Sequence, residues 1–200
     1  MKVLARLLIL VAVVLGGFAI WRGFFYYPND EVDSGLVAGT PNLPDAGAEQ
    51  ISLPDHLLIP RLNIDADVQH LGITKKGNMA APSNFTDVAW YKYGTVPGNV
   101  GSAVMAGHED NAAGLDGVFK HLDDLALGDD VYVVDADGEK LHFRVTDKKV
   151  YPYNLSGTEL NKVFNAKDKA HLNLITCTGE WVQALKTNDK RLVVFTELVK

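Results

Sequence analysis

The segment Val131–Val145, VYVVDADGEKLHFRV, alternates apolar and polar residues on both sides of Asp137-Gly138. A period of two is strand behaviour, and Asp-Gly is the favoured pair for a type I′ hairpin turn. Short runs of this kind recur across the second three quarters of the chain and limit what it can fold into. HLLIPRLNIDADVQ, His56–Gln69, reads as two strands, with Pro60 confining the first to an edge or a bend. SAVMAGH, Ser102–His108, reads as a strand that sets Val104, Ala106 and His108 on one face. LNLIT leads into Cys177, with a turn expected at Thr178-Gly179, and RLVVFTELV, Arg191–Val199, forms a last strand. Gly72–Gly101 is mostly loop, with turns at Lys76-Gly77 and Pro97-Gly98. Two short helices are expected: Gly114–Leu125, with Val118, Leu122 and Leu125 on one side, and a segment opened by the capping-box pattern Ser156-Gly-Thr-Glu159. Many short strands with Gly/Pro turns predict a mainly β domain, a small barrel or a sandwich.

The amino terminus follows a different rule. Lys2 and Arg6 precede an uncharged apolar run, Leu7–Trp21, followed by Arg22 and the aromatic residues Phe24 to Tyr27. As a helix, Leu7–Tyr27 would be about 30 Å long, enough to span a bilayer. Basic residues ahead of the span predict a cytoplasmic amino terminus with the rest of the chain outside. No A-x-A site directly follows, so the segment is expected to remain as one transmembrane anchor rather than a cleaved signal peptide. Residues 28–50 are rich in Pro, Gly, Asp and Asn and poor in large apolar residues, which predicts a flexible acidic linker. The expected organisation is a cytoplasmic start and anchor over 1–27, the linker over 28–50 and a catalytic domain over 51–200. A net charge of −6 with scattered Lys and Arg argues against nucleic acid as a partner.

Cys177 is the only cysteine in the chain. In an oxidising space it has no internal disulfide partner, so it is either sheltered by burial or retained for reactivity. Its place at the end of an apolar strand, facing a loop, is where catalytic groups concentrate. A reactive thiol needs a base or a cation beside it. Of the six histidines, His108 alone follows a glycine at a strand end and opens a polar loop, Glu109-Asp110-Asn111; His171 is the next candidate. Arg191 begins the strand after the cysteine loop, and an antiparallel return would bring its fork of donors beside Cys177. Taken one at a time, each residue also fits a bland reading: a buried core cysteine, a hydrogen-bonded loop histidine and a solvated arginine.

Taken together, AVMAGHED around His108, GVFKHLDDLALGDDVYV, LNLITCTGE around Cys177 and RLVVFTEL from Arg191 resemble the sortase family, the membrane-anchored cysteine transpeptidases of bacterial cell surfaces. The resemblance covers about Leu53 to Lys200. It implies a closed eight-stranded barrel, with Cys177 as nucleophile, His108 as general acid/base and Arg191 as substrate and oxyanion clamp. It implies cleavage of an LPxTG-like sorting signal and transfer of the acyl group to an amine on a peptidoglycan precursor or a pilin subunit, with no metal and no organic cofactor. The loop from Tyr153 to Lys169 would line the sorting-signal groove, offering Leu155, Leu160 and Val163, with Pro82 and Trp90 as further groove-wall candidates. Thr178 would face the substrate, with backbone N–H groups near Thr178 and Gly179 as additional donors. The alternatives are another extracytoplasmic cysteine enzyme, such as an L,D-transpeptidase, and a non-catalytic membrane-tethered β-domain. The first places histidine, glycine, cysteine and arginine in one compact run, unlike Thr176-Cys177-Thr178 with Arg191 distant.

Overall fold

The computed structural model describes residues 11, 13–18, 26, 31–32, 52–111 and 114–199. Most of the expected anchor and linker therefore lies outside the described residues. Within them, residues 13–18 are helical, and no helix is long and apolar enough to cross a membrane.

A two-residue strand β1 (Glu31–Val32) pairs with β4 (Ile73–Thr74). The remaining strands are β2 (Pro54–Ile59), β3 (Ile64–Leu71), β5 (Val88–Tyr91), β6 (Gly101–Ala106), β7 (Asp130–Asp135), β8 (Lys140–Pro152), β9 (Ala170–Val182) and β10 (Thr187–Leu198). These eight close into a barrel in the order β10-β8-β7-β2-β3-β5-β6-β9, with β9 again beside β10. The pairs β3–β5 and β6–β9 are parallel and the others antiparallel. The fold is thus the mainly β, closed eight-stranded barrel that the resemblance implies. At Pro60 the chain makes a 3-10 turn, Pro60–Leu62, ended by Asn63 in the left-handed region at φ 54. Pro60 opens that turn with its φ already set, so the bend expected there falls between β2 and β3.

Alternation sorts the side chains. Leu172, Leu174, Leu192 and Val194 point into the barrel, packing with Phe143 and Met105 in one core. Their neighbours Ile175, Val193 and Phe195 face outward, where Tyr151 and the helix α1 (Gly157–Phe164) cover them through Val163 and Phe164. Cys177 follows Ile175 by two and Arg191 precedes Val193 by two. Both therefore lie on this outer face, beyond the cluster that the helix covers.

Three local expectations are corrected. The stretch Gly114–Leu125 is not a helix but turns with a single 3-10 turn, Leu122–Asp124. Its backbone bonds outward instead, Phe119 N–H to the His108 carbonyl (2.9 Å) and Gly117 N–H to that of Glu109 (2.8 Å). The β7–β8 turn is not type I′, which requires positive φ at two successive residues. Only Gly138 is positive (φ 84), its N–H bonds the Asp135 carbonyl, and the Asp135 carboxylate accepts the N–H groups of Asp137 and Glu139. Ser156 does precede α1, but its side chain makes no capping bond, and Glu159 pairs with Lys149 and Lys162 instead.

Candidate active site

Three adjacent strands carry the site. In the parallel β6–β9 pair, Ala106 lies opposite Ile175, and the ladder continues past the end of β6. Gly107 N–H donates to the Ile175 carbonyl (3.1 Å), and the Thr176 hydroxyl donates to the Gly107 carbonyl (2.9 Å). Counted on at the same register, two residues further on each strand, His108 falls level with Cys177. On the other side, Arg191 of β10 is the direct cross-strand partner of Cys177. Directly opposed residues share a face, so the structure brings Cys177 and Arg191 together, with His108 two residues past the last β6 pairing.

His108 is held from the opposite side. Its Nε2–H donates to the Pro82 carbonyl (2.9 Å), and its ring packs against Phe85 at 4.8 Å. The bond fixes which ring nitrogen carries the proton in the neutral form. Pro82, expected as a groove wall, is buried and supports the histidine through its carbonyl. Burial holds His108 below the ordinary imidazole range, partly offset by the Pro82 bond and by Asp110. Burial likewise pushes the Cys177 thiol up; Arg191 and the Thr187 hydroxyl pull it down, while Glu109 and Asp110 push it further up. At neutral pH the resting pair is therefore a thiol and a neutral imidazole.

Arg191 is braced by its own strand. Nη1 donates to the carbonyls of Asn188 (2.9 Å) and Lys190 (2.7 Å), and Nη2 donates to Thr187 Oγ1 (2.8 Å). β9 does not end at Cys177, as the Thr178-Gly179 turn predicts, but continues to Val182. The glycine makes a bulge instead: Gly179 has φ 84, and the register shifts opposite Asp189. Asp189 Oδ1 accepts the Glu180 N–H (2.8 Å), which fixes the bulge and occupies that donor.

Of the groove candidates, Leu155 joins the outer apolar cluster beside Tyr151 and Val163. Leu160 is exposed on α1, and Thr178 is half-buried next to the thiol. Trp90 does not reach the groove: it is 1% exposed inside the barrel, and its Nε1–H donates to the Thr95 carbonyl. Alternation along β5 places its side chain on the inner face. Sequence reasoning passed over Thr187, Glu109 and Asn188. Asn188 Nδ2 lies 3.4 Å from both Glu109 Oε2 and the Gly179 carbonyl, a weak clasp from the histidine loop across β9 to β10. Polar residues in a loop and a hairpin carry no periodic signal that separates them from solvated ones.

A Sortase domain family model matches residues 57–199. Solved structures with the same fold include sortase C1 of Streptococcus agalactiae in complex with MTSET (24% identity, 72% of this chain and 66% of that one, TM-score 0.54). Sortase C-1 of Actinomyces oris matches at 24% identity over 72% of this chain and 71% of its own, TM-score 0.53. Sortase A of Corynebacterium diphtheriae matches at 21% identity over 74% and 61%, TM-score 0.54. This chain thus spans somewhat less than two thirds of the S. agalactiae and C. diphtheriae chains. No curated protein matches the sequence.

Proposed function

This chain belongs to the sortase family, and from that premise we propose that it is a cysteine transpeptidase acting on a sorting-signal peptide of the LPxTG kind. The observation that supports this most directly is the cross-strand pairing of Cys177 with Arg191 on β9 and β10, with His108 just past the end of the neighbouring strand β6 and an apolar cluster under α1 on the same outer face. Cys177 Sγ attacks the threonine carbonyl as its proton passes to His108, because the resting pair is neutral. The carbonyl oxygen gains negative charge, which the guanidinium of Arg191 meets. His108 returns the proton to the leaving amine as the amide bond breaks, leaving a thioester on Cys177. An acceptor amine then attacks the thioester, losing a proton to His108, and the thiol is released. The acceptor is an amine of a peptidoglycan precursor or of a pilin subunit.

The test is intact-mass analysis of the protein incubated with a small library of sorting peptides. The expected result is an acyl adduct on Cys177 that disappears when an amine is added. Absence of any adduct across the library, with the thiol intact, would reject the assignment. The charge pattern of residues 1–27 supports a single-pass membrane location with the catalytic domain outside the cell. Deleting residues 1–27 is expected to move the protein from the membrane to the soluble fraction; retention on membranes would refute the anchor.

A further inference from the structure

His108 is held by a carbonyl, and that carbonyl belongs to a peptide group whose other end is also fixed. The Pro82 oxygen, which accepts the His108 Nε2–H (2.9 Å), and the Ser83 N–H are parts of one planar amide. The Ser83 N–H donates to Oε1 of Gln69 on β3 (3.0 Å), and the Ser83 hydroxyl donates to the same oxygen (3.2 Å). The Gln69 side chain is oriented in turn, since its Nε2–H donates to Asp87 Oδ2 (2.8 Å). A backbone N–H only donates and a carboxylate only accepts, so this network admits one placement of the Gln69 oxygen and nitrogen. The same loop sets the Phe85 ring against the imidazole at 4.8 Å, and Asn84 Oδ1 accepts the Asp87 N–H (2.8 Å). Gln69, Ser83 and Asp87 are all half-buried.

We propose that Gln69 is a positioning residue for His108: by accepting the Ser83 N–H, it fixes and polarises the peptide group whose carbonyl holds the imidazole. The proposal rests on His108 being the general acid/base of the reading above. A planar amide held at both its N–H and its oxygen does not turn, so the neutral imidazole keeps its proton on Nε2, and Nδ1 stays the basic nitrogen. Donation from the N–H end also strengthens the acceptor at the oxygen end, because linked hydrogen bonds reinforce one another. The carbonyl bond favours the protonated ring, against the burial that disfavours it. The titratable and charged groups that bear on this corner of the fold are Asp110 and Glu109 on the histidine loop, Lys120 at 3.6 Å from Asp110, Cys177 and Arg191 on β9 and β10, and Asp87 beside Gln69. Gln69 itself is uncharged, so its replacement by another neutral side chain reaches His108 through the hydrogen bonds and not through a changed charge.

The experiment uses the full-length protein in detergent micelles, with its histidine ring nitrogens isotopically labelled, and two variants. Gln69→Met keeps the length of the side chain and removes its amide. Gln69→Glu combined with Asp87→Asn exchanges the two roles: a carboxylate oxygen accepts the Ser83 N–H, an amide donates to it from the other side, and the net charge is unchanged. The first readout is the NMR titration of His108, identified by the resonances that disappear in His108→Gln. The wild-type neutral ring is expected to carry its proton on Nε2. In Gln69→Met part of the population should move to the Nδ1–H form. The protonation midpoint should fall by about half a pH unit, because a weakened carbonyl bond holds the charged ring less well and a whole neutral hydrogen bond is worth roughly fivefold. The second readout is cleavage of the sorting peptide that acylates best, whose acid limb should follow to lower pH, with kcat reduced about fivefold and KM changed little. The exchanged pair is expected to restore tautomer, midpoint and kcat nearly to wild type. A wild-type tautomer and midpoint in folded Gln69→Met overturn the proposal, and so does a wild-type ring protonated on Nδ1. An equal change in Gln69→Met and the exchanged pair overturns it too, because the pair keeps an acceptor at the same point. If Gln69→Met does not fold, Gln69→Asn, one methylene short of Ser83, takes its place with the same readings. If wild-type protein cleaves no peptide, the transpeptidase reading fails while the His108 titrations still decide the link.

Discussion

His108 and Cys177 are displaced in opposite directions by one cause, the loss of water around each charged form. The activity profile against pH is therefore expected to be a broad bell. Its acid limb falls below the ordinary imidazole range, where His108 already carries a proton and cannot accept one. Its alkaline limb falls above the ordinary thiol range, where the pair has lost the proton that the leaving amine requires. Arg191→Ala removes a cation that pulls the thiol down, so its alkaline limb should move to higher pH, with turnover reduced about a hundredfold or more by loss of an oxyanion donor. Glu109→Gln removes a charge that pushes the thiol up, so its alkaline limb should move the other way. Rate–pH profiles of peptide cleavage check both signs, and shifts in the same direction for the two variants would refute the electrostatic account. Cys177→Ala is expected to abolish the acyl adduct. It should change the melting temperature little, because Cys177 is half-buried and lies outside the barrel core.

At the level of elements, the hairpin β9–β10 sets the site through its irregularity. The bulge at Gly179 is what lets β9 run on past the thiol while Cys177 stays opposite Arg191. At φ 84 a side chain is strained, and a Cβ on Gly179 would run into the Asp189 carboxylate that caps the bulge. Gly179→Ala is therefore expected to destabilise the protein by about 1–3 kcal/mol and to reduce activity more than a substitution of equal stability cost elsewhere on the hairpin. Denaturant unfolding and peptide cleavage on the same preparation check this. The loop after β6 shows a second close approach, since a Cβ on Gly117 would collide with the backbone carbonyl of His108. The turns that replace the expected helix there bring Phe119 and Leu122 into the core and so anchor the histidine loop to the barrel.

Across the whole molecule, closure of the barrel assembles the site. The parallel pairing of β6 with β9 joins segments far apart in sequence, and α1 then covers the outer-face residues Ile175 and Val193 that flank Cys177 and Arg191. Every strand of the barrel begins at or after Pro54. Residues 51–200 are therefore expected to fold alone, with a melting temperature within a few degrees of the full chain. A molten or insoluble fragment, by near-UV circular dichroism or sedimentation, would show that the barrel needs the preceding segment.

The β class of the domain, most of its strands, the shared face of Val104 and Ala106, and the singular place of Cys177 as the one cysteine were legible from the residues themselves. Each rests on local physics: a two-residue alternation, a turn-forming pair, a thiol without a partner. Strand pairing is another matter, because which strands meet depends on barrel closure, and no property of Ala106 alone selects Ile175 as its partner. Trp90 shows the limit at one residue, since an aromatic side chain reads the same whether alternation turns it into the barrel or toward the groove. Gly179 shows it at one bond: glycine permits a turn and a bulge equally, and only the competing ladder with β10 decides for the bulge. Pro82 and Thr187 reached the site in the same way. The carbonyl of Pro82 and the hydroxyl of Thr187 became partners of His108 and Arg191 through folding that no local pattern encodes.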